Sequence, residues 1–323
     1  MRKPANLQCW DADVAAYLCS RRALGRRCSA DERILGKLGA FLAESGAHDL
    51  DRPHLDAWLR QFGHCTPNTR IDYGLLVQRF CRYRRRIDPM CYVPDRLSLG
   101  RRRPYPLPSP IEPQHVAALL KYFDGLPRIA PLTLRVPALR LAIVLLFTTG
   151  IRRGEAARLT LGDVDAAAGV LRIHASKFHK SRWVPLSATT TAELRTYLAE
   201  RRAVDPHAAA ADRLLCSRPG QAYAPGTLSE AVKNVMARSG AWADAPRLPR
   251  VHDFRHGFAV AALRRWYEAE ADVQSHLPHL ALYMGHVSID STAYYLRYMP
   301  AVVALASDRF RRACGDVIDG GAP

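Results

Sequence analysis

Residues 137–155 read PALRLAIVLLFTTGIRRGE. The first twelve are apolar nearly all round, the pattern of a helix buried at the centre of a domain. Such a helix would deliver Arg152 and Glu155 to its end. Downstream, Val170-Leu-Arg-Ile-His174 alternates like a strand, residues 176–182 are polar, and Trp183-Val-Pro-Leu186 resumes the alternation. The spacing predicts a hairpin with Lys177 at its turn. Further helices are expected to begin near Ser187, near Thr227 with a capping box to Glu230, and near His252. Upstream, Glu112 and Pro113 open a helix with Val116, Leu119, Leu120 and Phe123 on one face.

Residues 100–110 hold four prolines and three arginines with no apolar period, which reads as a stiff basic linker. Before it, Ser29-Ala-Asp-Glu32 has the form of a capping box leading into Ile34, Leu35, Leu38, Phe41 and Leu42. Thr66-Pro67 opens another helix, with Tyr73, Leu76, Val77 and Phe80 at helical spacing and Arg82, Arg85 and Arg86 near its end. The expected fold is mainly α with a small β-hairpin (α+β). It divides into a helical domain at 1–105 and a larger domain at 106–323, with the linker at about 100–112.

The chain has 323 residues, 48% of them apolar, enough for a sizeable core. Its net charge is +17, and residues 1–110 carry 20 of the 47 Lys and Arg but only 11 of the 30 Asp and Glu. Surplus of this kind suits a phosphate backbone, whose binding releases counterions and is therefore salt dependent. Only six of the cations are lysine, so a compositional bias toward arginine is the bland account. Arg82, Arg85, Arg86, Arg101, Arg102 and Arg103 are the candidate DNA contacts, against the alternative of an ordinary solvated helix end. The eight cysteines form no C-x-x-C pair and read as reduced thiols. No apolar run is long enough for a membrane span and no secretory signal opens the chain, so a soluble bacterial cytoplasmic protein, on the nucleoid when bound to DNA, is expected.

Four short motifs carry chemistry: Thr149-Gly-Ile-Arg152-Arg-Gly-Glu155, Lys177, His252-Asp-Phe-Arg255-His256, and Gly285-His286 followed nine residues later by Tyr295. Each alone has a plain alternative. Arg152 and Glu155 could be an exposed ion pair, Lys177 a solvated turn lysine, and Tyr295 a core aromatic. Together, two guanidiniums, a lysine, imidazoles and a phenol are the groups needed to cut a phosphodiester without metal. Two of the six lysines, 177 and 180, fall at the one polar turn.

In order and spacing these motifs resemble the tyrosine recombinase family of phage and transposon integrases, over roughly residues 113–298. The resemblance implies an N-terminal core-binding domain, a catalytic domain, and strand cleavage through a 3′-phosphotyrosine, with neither metal, cofactor nor ATP. It implies Tyr295 as nucleophile, Arg152 and Arg255 as the clamp on the non-bridging oxygens, Lys177 as general acid, His252 as proton acceptor and His286 on a non-bridging oxygen. Glu155 and His256 would support them. The implied partners are double-stranded DNA and further copies of the chain, a tetramer on two sites, with no membrane.

Several residues depart from the family pattern. Phe254 stands where leucine is usual, and Arg297 where a histidine often follows the tyrosine. Tyr294 beside Tyr295 leaves two registers for the nucleophile. The Arg255–His286 interval is long by about two turns of helix, which reads as a loop inserted around Trp266–Glu270 and His276–His279. A metal-dependent transposase would need a third carboxylate beside Asp163 and Asp165. A type IB topoisomerase shares the chemistry, and a non-catalytic DNA-binding regulator could share the fold. The absence of an arm-binding domain and the long interval favour a transposon-borne integrase.

Overall fold

The computed structural model describes residues 9–26, 28–104, 107–109, 111–127, 133–174, 181–286, 295 and 300–318. The chain divides into two compact units at Pro106/Leu107.

The first unit packs four helices, α1 (Trp10–Ala23), α2 (Ser29–Glu44), α3 (Arg52–Arg60) and α4 (Pro67–Arg84). Leu35, Leu38 and Leu42 of α2 meet Trp10 and Leu18 of α1, Trp58 of α3 and Phe80 of α4 in one core. Thr66 caps α4 by accepting from Thr69 N at 3.2 Å, with Pro67 at the first helical position, as Thr-Pro predicts. The capping box expected at Ser29 is not formed. α2 starts one residue earlier, with Cys28 at the N-cap and no side-chain cap bond, so Ser29 lies inside the helix.

Arg84 of α4 is buried and binds Asp13 at 2.8 Å and both oxygens of Asp49 at 2.7 and 3.1 Å. It ties α1 and the α2–α3 connection to α4. Arg82, Arg85, Arg86, Arg101, Arg102 and Arg103 are all exposed. Residues 101–104 are fastened to α4: Asn68 exchanges two bonds with the Arg103 backbone, at 2.8 and 2.9 Å, and Arg102 pairs with Asp72.

The second unit begins on the other side of the Pro-rich stretch, where Arg247 Nη2 donates to Leu107 O at 2.6 Å. It contains α5 (Pro113–Asp124), α6 (Arg135–Thr149), α7 (Arg153–Ala156), β1 (Val164–Asp165), β2 (Val170–Ile173), β3 (Arg182–Pro185), α8 (Ala188–Val204), β4 (Cys216–Arg218), β5 (Gln221–Ala222), α9 (Pro225–Arg238), α10 (Asp253–Glu268), α11 (Val273–Met284) and α12 (Pro300–Ile318). Mainly helical, with two small antiparallel sheets, the molecule has the expected class of fold. α6 runs through the middle of the unit, with Leu139, Leu141, Ala142, Ile143, Leu145 and Leu146 in the core cluster and α5, α8, α9 and α10 around it. The absence of an amphipathic period in residues 137–148 is thereby explained.

β2 and β3 form the hairpin, with Leu171 opposite Val184 and Arg172 opposite Trp183, and β1 adds a third strand. The turn bearing Lys177 and Lys180 lies outside the described residues. α9 starts at Pro225 behind an Ala224 N-cap, so the box expected at Thr227 is three residues out of register. The Arg255–His286 interval is not filled by an inserted loop. Trp266 to Glu268 continue α10, and His276 to His279 lie inside α11, which accommodates Pro278. Among the described residues, no helix is long and apolar enough to cross a membrane.

The apolar residues of α12 divide between core and surface. Val302 is buried in a cluster with Ala259, Leu263, Leu280, Met284 and Tyr295, while Val303 and Phe310 are exposed. Arg309 secures the helix by donating to Ala271 O at 2.7 Å and Glu270 O at 3.1 Å.

α10 crosses the backbone of the α5 entry segment at Gly257. A Cβ there would lie 2.6 Å from Ile111 O and 3.0 Å from Ile111 N, contacts that backbone cannot yield cheaply. Gly257→Ala is therefore expected to destabilise the second unit by about 1–3 kcal/mol, despite the better helix propensity of alanine. Its thermal transition should fall by about 2–4 °C for each kcal/mol. An unchanged midpoint in calorimetry would refute the close approach.

Candidate active site

α6 ends at Gly150, whose φ of +59° is left-handed backbone that favours glycine. A side chain there would also strike the ring of Phe258, 2.6 Å from an added Cβ. The turn delivers Arg152 to the N-cap of α7. Its own backbone N–H donates to Glu155 Oε2 at 3.0 Å and its Nη1 to Glu155 Oε1 at 2.8 Å. Glu155 is buried, not an exposed partner.

Across the site, α11 ends in the same manner. Gly285 has φ +66°, and His286 N reaches back to Ala281 O at 2.8 Å, the bond that closes a helix through a left-handed residue. The Gly-His pair is thus a helix terminus with its carbonyls turned toward the arginines. Arg152 Nη2 donates to Gly285 O at 2.6 Å, and Arg255 Nη2 to Met284 O at 2.6 Å. Arg255, on the first turn of α10, also donates through Nη1 to Gly150 O at 2.7 Å, joining the two glycine turns.

A third guanidinium was not singled out from the sequence. Arg182 opens β3, donates through Nε to Tyr283 O at 2.7 Å, and grips Glu155 through Nη1 at 3.2 Å and Nη2 at 2.8 Å. Its partners are 101 and 27 residues away, and no local motif marks them. Burial alone would raise the Glu155 pKa, but Arg182 and then Arg152 outweigh it and hold the carboxyl down to about 2. Burial, with Arg152 next, pushes the Arg255 pKa down to about 9, which leaves it cationic at neutral pH.

Tyr295 is buried, and its hydroxyl lies 3.0 Å from His256 Nδ1. His256 Nε2 stands 4.0 Å from Asp253 Oδ1, too far for a hydrogen bond but close enough for the carboxylate to favour a protonated ring. Asp253 is in turn fixed by Arg250, at 2.9 and 3.0 Å. The His252 ring stands edge-on to His256 with centroids 4.8 Å apart. The imidazole that meets the phenol is therefore His256, while His252 occupies the next place out.

Burial holds the pKa of His256 down to about 4, against the pull of Asp253. Burial, Arg255 and Arg152 hold that of His286 down to about 3. That of His252 is lowered too, by desolvation and then by His256 and Arg255. All three rings are neutral at pH 7.

The unfolded chain would bind protons at these rings near pH 6.5 while the folded one does not, so their contribution to stability is present above that pH and is lost as pH falls toward 4. The thermal midpoint of the second unit should drop over that window. Cognate DNA should shrink the drop, because a phosphate beside the imidazoles raises their pKa values. An acid-insensitive midpoint from pH 7 to 4 would remove the basis for neutral rings.

Six of the eight residues expected here, Arg152, Glu155, Arg255, His256, His286 and Tyr295, share this network, with His252 beside it. Lys177 lies outside the described residues. Asp163 is already committed, accepting from Thr160 N at 2.9 Å and pairing with His174 at 3.0 Å.

The phage integrase family matches residues 111–301, a span that contains the whole network. The chain is 35% identical over 313 residues to a putative integrase/recombinase, y4rB, of Sinorhizobium fredii, covering 94% of this chain and 97% of that one. It is 26% identical to the tyrosine recombinase XerD of Vibrio cholerae, covering 74% and 73%. Among solved structures, the Tn1549 transposon integrase in complex with transposon right end DNA superposes with a TM-score of 0.63 at 15% identity, over 93% of this chain and 98% of that one. XerH bound to a palindromic difH substrate gives 0.61 at 20% identity, over 85% and 77%. With two glycine turns, three carbonyl-bound arginines and a histidine-held tyrosine inside the matched span, the chain belongs to the phage integrase family and is a tyrosine recombinase acting on DNA.

Proposed function

We propose that the protein cuts and rejoins DNA at specific sites through Tyr295, with Arg152 and Arg255 as the cations on the scissile phosphate. The observation that carries this reading is the convergence of both guanidiniums on the carbonyls of Met284 and Gly285, directly before His286. A guanidinium has five N–H donors, and the bonds to those carbonyls leave others for phosphate oxygens. As the phenol attacks phosphorus, charge builds on the non-bridging oxygens, where preorganised cations lower the barrier.

The phenol proton passes to an imidazole. The family resemblance assigns that role to His252, and the 3.0 Å contact favours His256, within the reach a general base requires. The attack forms a tyrosine–phosphorus bond and breaks the bond to the 5′-oxygen, which takes a proton from Lys177. The 3′-phosphotyrosine conserves the bond energy, so the 5′-hydroxyl of another strand can reverse the step without ATP. His286 hydrogen-bonds a non-bridging oxygen, and the exposed arginines 82, 85, 86 and 101–103 bind the duplex backbone.

Exchange between two sites requires several protomers, and we assign the working form as a tetramer on paired sites in the bacterial cytoplasm. Support for a mobile-element role comes from the likeness to a transposon integrase across nearly the whole chain.

The assignment of Lys177 has its own test. On a substrate whose leaving 5′-oxygen is sulfur, which departs without a proton, Lys177→Ala should cleave at close to the wild-type rate, whereas on ordinary DNA it should be slower by about 10²–10⁴-fold. Absence of rescue would exclude Lys177 as the acid. EDTA should leave wild-type cleavage intact, and strong inhibition would favour a metal-dependent mechanism.

A further inference from the structure

The last three carbonyls before His286 each receive a different guanidinium: Arg182 on Tyr283 O, Arg255 on Met284 O and Arg152 on Gly285 O, at 2.7, 2.6 and 2.6 Å. Two of these three arginines are the proposed phosphate clamp. The third differs in how it is used. The Arg182 side chain is only 10% exposed, against 23% for Arg152, and all three of its nitrogens bond to protein, one to Tyr283 O and two to Glu155.

Glu155 is the shared element. Its Oε1 accepts from both Arg152 Nη1 and Arg182 Nη1, and its Oε2 from Arg182 Nη2 and the Arg152 backbone. A buried carboxylate needs such partners, since an uncompensated buried charge is strongly destabilising. Gly285 is packed against the same pair: an added Cβ would stand 2.8 Å from Arg182 Nη1 and 3.4 Å from Arg152 Nη1.

We propose that Arg182 is a positioning residue for DNA cleavage, holding the Glu155 carboxylate, and through it the Arg152 guanidinium, in register with the end of α11. The inference rests on Arg152 being part of the phosphate clamp. Without Arg182, Glu155 keeps Arg152 as its one remaining guanidinium and draws it inward, while the Tyr283 carbonyl loses its donor. Lysine cannot replace it, because a single ammonium cannot span a carbonyl and both carboxylate oxygens in the planar arrangement seen here. Arg182 also sits at the start of the strand that leaves the Lys177 turn, so the same side chain anchors that strand to α11.

The test is a double-mutant cycle on single-turnover cleavage of a nicked suicide substrate, with sulfur at the leaving position so that slow variants remain measurable. Arg182→Gln should cleave roughly 100-fold more slowly, the scale of a misplacement near 1 Å, while DNA affinity changes little. In an Arg152→Ala background, the same change should add no more than about twofold, because the residue through which it acts is gone. A multiplicative loss in that background would mean that Arg182 acts on its own and would overturn the proposal. So would a single variant that cleaves like wild type. If Arg182→Gln fails to fold, Arg182→Lys enters the same cycle, and a lysine variant equal to wild type is equally fatal. A wild-type protein that forms no adduct would instead bring down the reading of the site, and this inference with it.

Discussion

Tyr295→Phe is expected to bind DNA and to form no covalent adduct on a nicked suicide substrate, whereas wild type and Tyr294→Phe both form one. Loss should be complete, because the substitution removes the oxygen assigned to attack the phosphorus. The variant should remain folded. Phenylalanine keeps the packing against Ala259, Leu263, Met284 and Val302, and one hydrogen bond to His256 contributes about 1 kcal/mol net. The Gly285-His286 spacing selects Tyr295 over Tyr294 as the residue that meets the scissile phosphate. Mass spectrometry of the digested complex would locate the nucleotide-bearing peptide. An adduct on Tyr294 would shift the register, and an undiminished adduct with Tyr295→Phe would overturn the assignment altogether.

Arg152→Ala and Arg255→Ala are each expected to slow cleavage by about 10²–10³-fold, the range for removal of one preorganised donor. Their effects on folding should diverge. Arg255 is 2% exposed and bridges Gly150 O to Met284 O, so its loss leaves two buried carbonyls without a donor and opens a cavity. Arg152 makes as many side-chain bonds, to Glu155 and to Gly285 O, but its side chain is 23% exposed, so water can take their place. Calorimetry should therefore show a clear fall in the midpoint for Arg255→Ala and a smaller one for Arg152→Ala. If both variants cleaved within a few fold of wild type, the clamp would be elsewhere.

Much of the architecture could be read from local pattern, because the interactions that decide it are local. Thr66-Pro67 begins α4, residues 137–148, apolar nearly all round, lie in the central helix, and the alternation read at 170–174 and 183–186 falls on the hairpin strands. Local reading failed where two signals competed. At α9, Pro225 takes the first helical position and overrides the box two residues later. Between Arg255 and His286, the Trp266 and His276 segments looked like an insertion, yet the two rings stack at 4.9 Å between α10 and α11.

In the site, the motif residues were visible because they recur in a fixed order. Arg84 and Arg182 were not, since their carboxylate partners are brought together only by tertiary folding. In a chain with 47 Lys and Arg, charge alone does not separate a structural arginine from a DNA contact. Burial does.

The arginine anchors at the end of α11 are main-chain oxygens, and this sets how freely the surrounding sequence can drift. A carbonyl is supplied by any amino acid, so the side chains at 283 and 284 answer mainly to packing, Tyr283 against Phe258 with a long 3.4 Å bond from its hydroxyl to Pro185 O, and Met284 within its apolar cluster. Position 285, with its left-handed backbone and no room for a methyl group, admits glycine. A randomised library across 283–285 should therefore return active clones with varied apolar residues at the first two positions and a single letter at the third.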